Sequence, residues 1–309
     1  MQTILGANGQ IGFELAKELH GRYTKAIKLV SRNPQKINDA DLLFSANLLD
    51  AGQAMQAVAG SEIVYLTVGL PMDTKRLEEE WPRIMRNVID ACKAHGAKLV
   101  YFDNTYMYPQ TGDLQTEETP FRPGGPKGRV RAEATLMVLS EVQQGNLEAV
   151  ICRAPEFYGP GKTQSITNST VFDNIRKGKK PKVLLRDDTL RTLIFTPDAS
   201  KAMALIGNTK DAYRQTWHLP CDDGRHTYKE LIRLTGEVLG VPLSYSVLSP
   251  LLLKMAGVFH RQVRELAEML PRYRQNNLFD SQKFKRRFPG FEVTSYRCGI
   301  EEIVGSWKA

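Results

Sequence analysis

Short apolar, β-branched runs alternate along the first half of the chain with longer stretches whose apolar positions recur every three or four residues. That alternation predicts a parallel sheet covered by helices. The strand candidates are residues 3–5, 27–30, 63–68, 98–102 and 149–153. Between them Ile11, Leu15 and Leu19 recur at helical spacing, and over 78–94 Trp81, Ile84, Met85, Val88 and Ile89 form one broad stripe. Core packing accounts for both. After Pro155 the regularity fades into Gly159-Pro160-Gly161, a basic turn over 177–182 and an apparent strand over 191–195. The expectation is an α/β fold with a doubly wound parallel sheet: a main domain over 1–155, strands returning from about 191 and 216, and a smaller lobe over 156–309. Thr196-Pro197 reads as an N-cap followed by proline at the first helical position, and Thr227 with Glu230 has capping-box spacing. The segment 250–270 has an amphipathic helical pattern, whose apolar face is expected to cover the mouth of the main sheet or a pocket.

A chain of 309 residues, 42% hydrophobic and 25% charged, is an ordinary globular composition and excludes a disordered or collagenous protein. The formal charge of +8 favours anionic partners without choosing among them. Cys92, Cys152, Cys221 and Cys298 form no CxxC pair, so zinc and redox-motif readings have little support and no metal is expected. The N-terminus has no basic region followed by a long apolar run, and no segment is apolar for long enough to span a bilayer. A cytoplasmic protein with reduced thiols, neither secreted nor membrane-inserted, is expected.

The most informative motif follows the first strand: Gly6-Ala7-Asn8-Gly9-Gln10-Ile11-Gly12, leading straight into the first helix. A glycine at the strand end permits the tight turn, a second lets backbone approach a pyrophosphate, and a third allows close helix-to-sheet packing, while the helix N-terminus attracts the anion. The GxxGxxG spacing resembles that of the short-chain dehydrogenase/reductase superfamily. Arg153-Ala154-Pro155-Glu156-Phe157-Tyr158-Gly159-Pro160-Gly161 resembles the RPxxxYGPG segment of its extended members, the NAD-dependent epimerase/dehydratase family. Arg191 to Asp198 resembles that family's stretch before a helix, where an arginine often holds a substrate phosphate, and Ala46-Asn47-Leu48 its adenine-side segment, with Asn47 in place of the usual aspartate. The resemblance implies a Rossmann-type sheet with Gly6, Asn8, Gly9, Gln10, Ile11, Gly12, Asn47, Leu48, Thr67, Val68, Gly69 and Pro155 around a dinucleotide, and Tyr108, Tyr158 and Arg191 towards a substrate.

The second strand decides which dinucleotide is expected. A carboxylate after it would bind the ribose hydroxyls of NAD, whereas a basic residue accommodates the extra phosphate of NADP. Here it ends Leu29-Val30-Ser31-Arg32-Asn33, with no carboxylate, a hydroxyl donor at Ser31 and a planar fork at Arg32. NADP is favoured over NAD.

At the catalytic positions the family pattern fails. Relatives carry a Ser or Thr after the strand ending here at Phe102, then Tyr-x-x-x-Lys on the next helix. This chain continues Asp103-Asn104-Thr105-Tyr106-Met107-Tyr108, so the hydroxyl position falls on Asn104 or Thr105. On the helix, Lys127 stands at the tyrosine and Arg131 at the lysine. Three expectations follow. Lys127 donates the proton, lysine and tyrosine having close reference pKa values of about 10.4 and about 10; or Tyr106 or Tyr108 swings in with Lys127 in support; or the site is a non-catalytic NADP-binding regulator or redox sensor. Arg131 cannot serve as an acid but could hold the ribose.

Between His260 and Arg297 nine Arg and Lys residues interleave with Tyr273, Phe279, Phe284 and Phe288. Phosphate contact and base stacking are conceivable with that mixture. A solvated face over a small lobe is simpler, and nucleic acid is not the expected partner. A small carbonyl or hydroxyl substrate, with an anionic group that Arg191 would meet, is expected instead. By analogy with relatives, helices over 73–95 and after Lys127 would pair two subunits in a homodimer.

Overall fold

The computed structural model describes residues 1–161 and 164–307. Strands β1 (Gln2–Leu5), β2 (Ile27–Ser31), β3 (Leu42–Ser45), β4 (Ile63–Leu66) and β5 (Lys98–Asp103) alternate with helices α1 (Gln10–Arg22), α2 (Ala51–Val58) and α3 (Thr74–His95). After the short β6 (Leu114–Gln115) come α4 (Pro126–Gln143), β7 (Ala149–Arg153), β8 (Glu156–Tyr158), α5 (Asp173–Arg176), β9 (Lys182–Leu184), β10 (Leu193–Phe195), α6 (Thr196–Gly207) and β11 (Thr216–His218). The remainder holds α7 (Tyr228–Leu239), β12 (Ser246–Leu248), α8 (Pro250–Phe259), α9 (Arg261–Glu265), β13 (Leu278–Phe279), α10 (Gln282–Arg287) and α11 (Tyr296–Gly305).

Seven strands form one sheet in the order β11-β7-β5-β4-β1-β2-β3, every pair parallel. Both faces are covered, as an all-parallel sheet requires. Ile11, Leu15 and Leu19 of α1 and Met203 and Ile206 of α6 close one face against Ile4, Leu29 and Val100. The α3 stripe of Trp81, Ile84, Met85, Val88 and Ile89 closes the other with Val130 and Val138 of α4. Chain order reverses between β1 and β4, so a crevice opens at the carboxyl ends of those strands, where open α/β sheets bind their ligands.

Three elements differ from their sequence signals. β3 carries no alternating pattern because it is the edge strand, with Leu42 and Leu43 exposed. The strand near 191 does not return to the main sheet: β10 pairs with β8 instead, while β11 joins the main sheet beside β7. Helix α6 begins one residue earlier than read, with Phe195 as N-cap, and the Thr196 hydroxyl accepts a hydrogen bond from Gln10 Nε2 at 2.9 Å. The capping box at Thr227 and Glu230 forms as its spacing requires.

The C-terminal part has its own apolar core, with Phe172, Leu184, Leu231 and Ile300. The segment 250–270 is not one helix: it breaks at His260 into α8 and α9, followed by a 3-10 turn over Leu270–Tyr273. Its second half closes on the crevice, while the first half leaves large apolar side chains exposed. In the basic stretch Tyr273, Phe279 and Phe284 are buried, and Arg261, Lys285, Arg287 and Arg297 each pair with a carboxylate. Those rings offer no stacking platform for bases.

Candidate active site

The crevice is a cavity of about 900 Å³. At one end backbone shapes it. Gly6 has φ of +97°, which only glycine adopts freely, and a Cβ there would lie 2.7 Å from Val68 N. A Cβ on Gly9 would lie 3.3 Å from Gly6 O, and one on Gly12 would meet Gly6 O at 2.8 Å and Ala7 Cα at 2.9 Å. Gly6 and Gly9 thus keep a cradle open in the lining, whereas Gly12 lets α1 sit against the turn. The N-cap of α1 is Gly9, with no side chain on the first amides, leaving them for an anion. This empty-sided turn with a helix N-terminus fits a dinucleotide pyrophosphate.

Asn8, Gln10, Ile11, Ser31, Arg32, Asn47, Leu48, Thr67, Val68, Gly69 and Pro155 also line the cavity. Around the end of β2 the lining is Ser31, Arg32 and Asn33 with Asn47 opposite, and no carboxylate stands among these four. The Asn47 side chain caps its own turn, Oδ1 accepting from Leu49 N at 3.2 Å.

At the other end side chains shape the cavity. Lys127, in the first turn of α4, is 3% exposed, and its Nζ donates to Thr74 Oγ1 at 2.6 Å and to Glu265 Oε2 at 2.8 Å. Glu268 adds a second carboxylate 3.9 Å from Nζ and does something further. Its two oxygens accept from the amides of Lys127 and Gly128 at 3.1 and 2.9 Å, capping α4, whose own N-cap Gly125 has no side chain to offer. Glu265 likewise accepts from the Thr74 amide at the start of α3. Burial pushes Glu265 up, but the bonds from Lys127 and Thr74 prevail and hold it down at about 2.

Arg131 lies one turn further along α4, its guanidinium 3.9 Å over the Trp81 ring and 3.2 Å from the Tyr101 hydroxyl. Beneath it Asp103, 1% exposed, accepts from Tyr101, Thr135 and Arg153. Asn104 Oδ1 accepts from the Tyr106 amide at 2.9 Å, fixing the turn after β5. Burial pushes the Tyr106 phenol up, against Arg131 and Arg272.

Arg272 is a buried cation of the cleft that forms no ion pair among the described residues. It is 6% exposed and donates to Thr105 Oγ1 at 2.9 Å and to the Thr105 carbonyl, while its Nε has no partner among the described residues. Burial pulls it down to about 10, with Arg191 acting in the same direction. Arg191 differs: Glu156 faces it at 3.0 Å and the Tyr273 ring lies 4.4 Å away.

A model of the NAD dependent epimerase/dehydratase family matches residues 3–218. The chain belongs to that family. Curated relatives include the dTDP-glucose 4,6-dehydratase of Mycobacterium tuberculosis, 26% identical over 183 residues, which are 55% of this chain and 54% of that protein. The chain thus spans about half the length of the curated relatives it matches. Among solved structures, the UDP-glucuronic acid 4-epimerase from Bacillus cereus in complex with UDP-glucuronic acid and NAD superposes with a TM-score of 0.81 at 13% identity, covering 100% of this chain and 99% of that one. The dTDP-glucose 4,6-dehydratase DesIV from Streptomyces venezuelae, with NAD bound, gives 0.79 at 15% identity over 100% and 97%. These likenesses establish the Rossmann-type fold.

Against this epimerase/dehydratase frame, most residues singled out by sequence meet in the one cleft, Asn104, Thr105, Tyr106, Lys127, Arg131 and Arg191 among them. Tyr108 and Tyr158 do not. Tyr108 is wholly buried, its hydroxyl accepting from Arg153 at 2.6 Å and lying 2.7 Å from His218 Nε2. Burial, with Arg153 beside it, drives His218 well below the usual imidazole range, and because Nδ1 donates to the Asp280 carbonyl at 2.7 Å, Nε2 of the neutral ring accepts from Tyr108. Tyr158 stacks on Tyr296 and Phe172 in the smaller core. Conversely Glu265, Glu268 and Arg272 were not legible as site residues. The carboxylates have a helical i, i+3 spacing, but nothing local says which helix ends they reach, and Arg272 was one cation among nine.

Proposed function

We propose that the protein is an NADP-dependent oxidoreductase or epimerase/dehydratase-like enzyme acting on a small carbonyl or hydroxyl substrate that carries an anionic group, with Lys127 as its proton-transferring residue. The observation that carries this reading is the junction of the two ends of the cleft: a glycine cradle for a dinucleotide opens into a chamber bordered by Lys127, Thr105 and Arg272. When bound, the nicotinamide supplies a hydride acceptor or donor. The chain's own residues supply the rest. Thr105 or Asn104 orients the substrate oxygen, Lys127 Nζ exchanges a proton with it, and Arg131 holds the ribose side. Helix α4, Pro126–Gln143, contains no tyrosine, so Lys127 and Arg131 take the places of the family's Tyr-x-x-x-Lys pair.

Arg272 supports the anionic substrate. A buried guanidinium with no ion pair and an unpartnered Nε–H among the described residues is suited to a phosphate or carboxylate. The nucleotide sugar bound by solved relatives is one such compound. Arg32, with no acidic neighbour at the end of β2, supports NADP rather than the NAD of those relatives. Residues 156–309 supply most of the substrate lobe.

The deciding experiment titrates the pure protein with NADPH and NADH by nicotinamide fluorescence, then follows absorbance with a panel of carbonyl compounds, nucleotide-diphosphate keto sugars included. Tighter NADPH binding with oxidation by an anionic panel member is expected. Absence of binding to either nucleotide overturns the reading. Tight binding without turnover favours a second one, a non-catalytic NADP-binding regulator, for which the occupation of Lys127 by Thr74 and Glu265 speaks.

A further inference from the structure

Helix α8 leaves one face without a neighbour among the described residues. Leu251, Leu252, Met255, Val258 and Phe259 are exposed, Phe259 by 83%, while Leu253 and Gly257 of the same helix are buried. With 3.6 residues per turn, the five exposed side chains fall within an arc of about 120°, opposite Leu253. They form a stripe, unlike the single hydrophobes scattered over ordinary surfaces.

The stripe has a cationic rim. Lys254 stands at its edge, His260, Arg261 and Arg264 follow directly, and the run 249–264 contains no Asp or Glu. Arg261 is paired with Asp73, whereas Lys254 and Arg264 are exposed and form no ion pair among the described residues. β12, which leads into α8 through the capping Ser249, pairs with β9.

We propose that α8 is a docking surface for an anionic lipid bilayer, the stripe entering the acyl boundary while Lys254 and Arg264 meet the headgroups. Among the described residues no helix is long and apolar enough to cross a membrane, so the attachment is peripheral. The rim selects this occupant over a second copy of the chain. Two stripes face to face would bring the same cations together, and a ten-residue helix presents less than the ~800 Å² per partner that a stable interface buries.

Cosedimentation of the full chain with vesicles tests this. The protein is expected to pellet with phosphatidylcholine vesicles containing phosphatidylserine, much less with phosphatidylcholine alone, and less as salt screens the charge share. The double substitution Val258→Glu and Phe259→Glu is expected to lower partitioning at least ~tenfold, and Lys254→Glu several-fold on the anionic vesicles alone. These positions are exposed and outside the cleft, so unchanged thermal melting and nucleotide fluorescence verify that the variants are folded. No pelleting with either composition, or equal pelleting of the folded double variant, overturns the proposal. So does a dimer in sedimentation velocity that the double variant abolishes, which would assign the stripe to a second copy, or capture of an acidic protein through the stripe in place of lipid.

Discussion

At the glycine turn the cleft is shaped by backbone from two neighbouring strand ends, residues 6–12 after β1 and 67–69 after β4, whose atoms approach so closely that a single Cβ at Gly6 or Gly12 has no room. At Lys127 the opposite holds. The lysine's position depends on carboxylates 138 and 141 residues away along the chain, and on a hydroxyl from the start of α3. The first end is fixed because β1 and β4, whose ends form it, are hydrogen-bonded neighbours in the sheet. The second is held by charge and hydrogen bonding, and it holds only while the C-terminal segment is docked. A backbone-shaped turn and a side-chain clamp thus stand separately at two ends of one cavity.

The strongest way to break that separation is Lys127→Ala. Turnover is expected to fall by 10²–10⁴, the usual contribution of a positioned proton-transfer group, while nucleotide affinity changes less than about threefold. Steady-state rates read beside a fluorescence titration check it, and a variant that turns over normally transfers the proton role to Tyr106. Gly12→Val attacks the other end. Its side chain meets Gly6 O and Ala7 Cα, so nucleotide affinity is expected to drop at least ~tenfold and the melting temperature to fall, overpacking of this kind costing about 1–3 kcal/mol. Affinity and melting unchanged from the parent would mean that the turn yields where the geometry says it cannot.

Arg32→Asp sharpens the comparison without disturbing either scaffold. The NADPH-to-NADH affinity ratio is expected to fall by about tenfold or more, since a carboxylate suits free ribose hydroxyls and repels a phosphate. A ratio that stays put removes Arg32 from cofactor selection. The smallest effect concerns pH. Glu265 is held below the ordinary carboxylate value, so its contribution to stability is complete above about pH 4.3 and fades as pH falls from there through about 2. The melting-temperature gap between the parent and Glu265→Gln is therefore expected to be constant near neutrality and to shrink below about pH 4. A gap that widens on acidification would show that the clamp is not built on an ionised Glu265.

The sheet was readable because β4, β5 and β7 hold continuous apolar runs, the mark of strands buried on both faces, and β1 and β2 carry the apolar pairs Ile4-Leu5 and Leu29-Val30. β3 escaped although Leu42-Leu43-Phe44 is an apolar run, and at the sheet edge both leucines stay exposed. The glycine turn was readable because its function is local backbone geometry, written in consecutive residues. Arg272, Glu265 and Glu268 were not, because a cation or carboxylate carries no record of whether it meets solvent or a helix end far along the chain. Tyr108 shows the same limit in reverse: its place after β5 suggested a substrate contact, yet Arg153 and His218 take its hydroxyl into the core.

The carboxylate of Glu268 on the first amides of α4 belongs to a residue made long after that helix. A ribosome delivers residues in sequence, and the strands and helices of the first half can begin to pair as they emerge. Through that interval α4 has an uncapped start and Lys127 has neither carboxylate, since Glu265 follows it by 138 residues. The clamp on Lys127 and the start of α4 can therefore close only after residue 268 has emerged, whereas every residue of the glycine turn is present from the start.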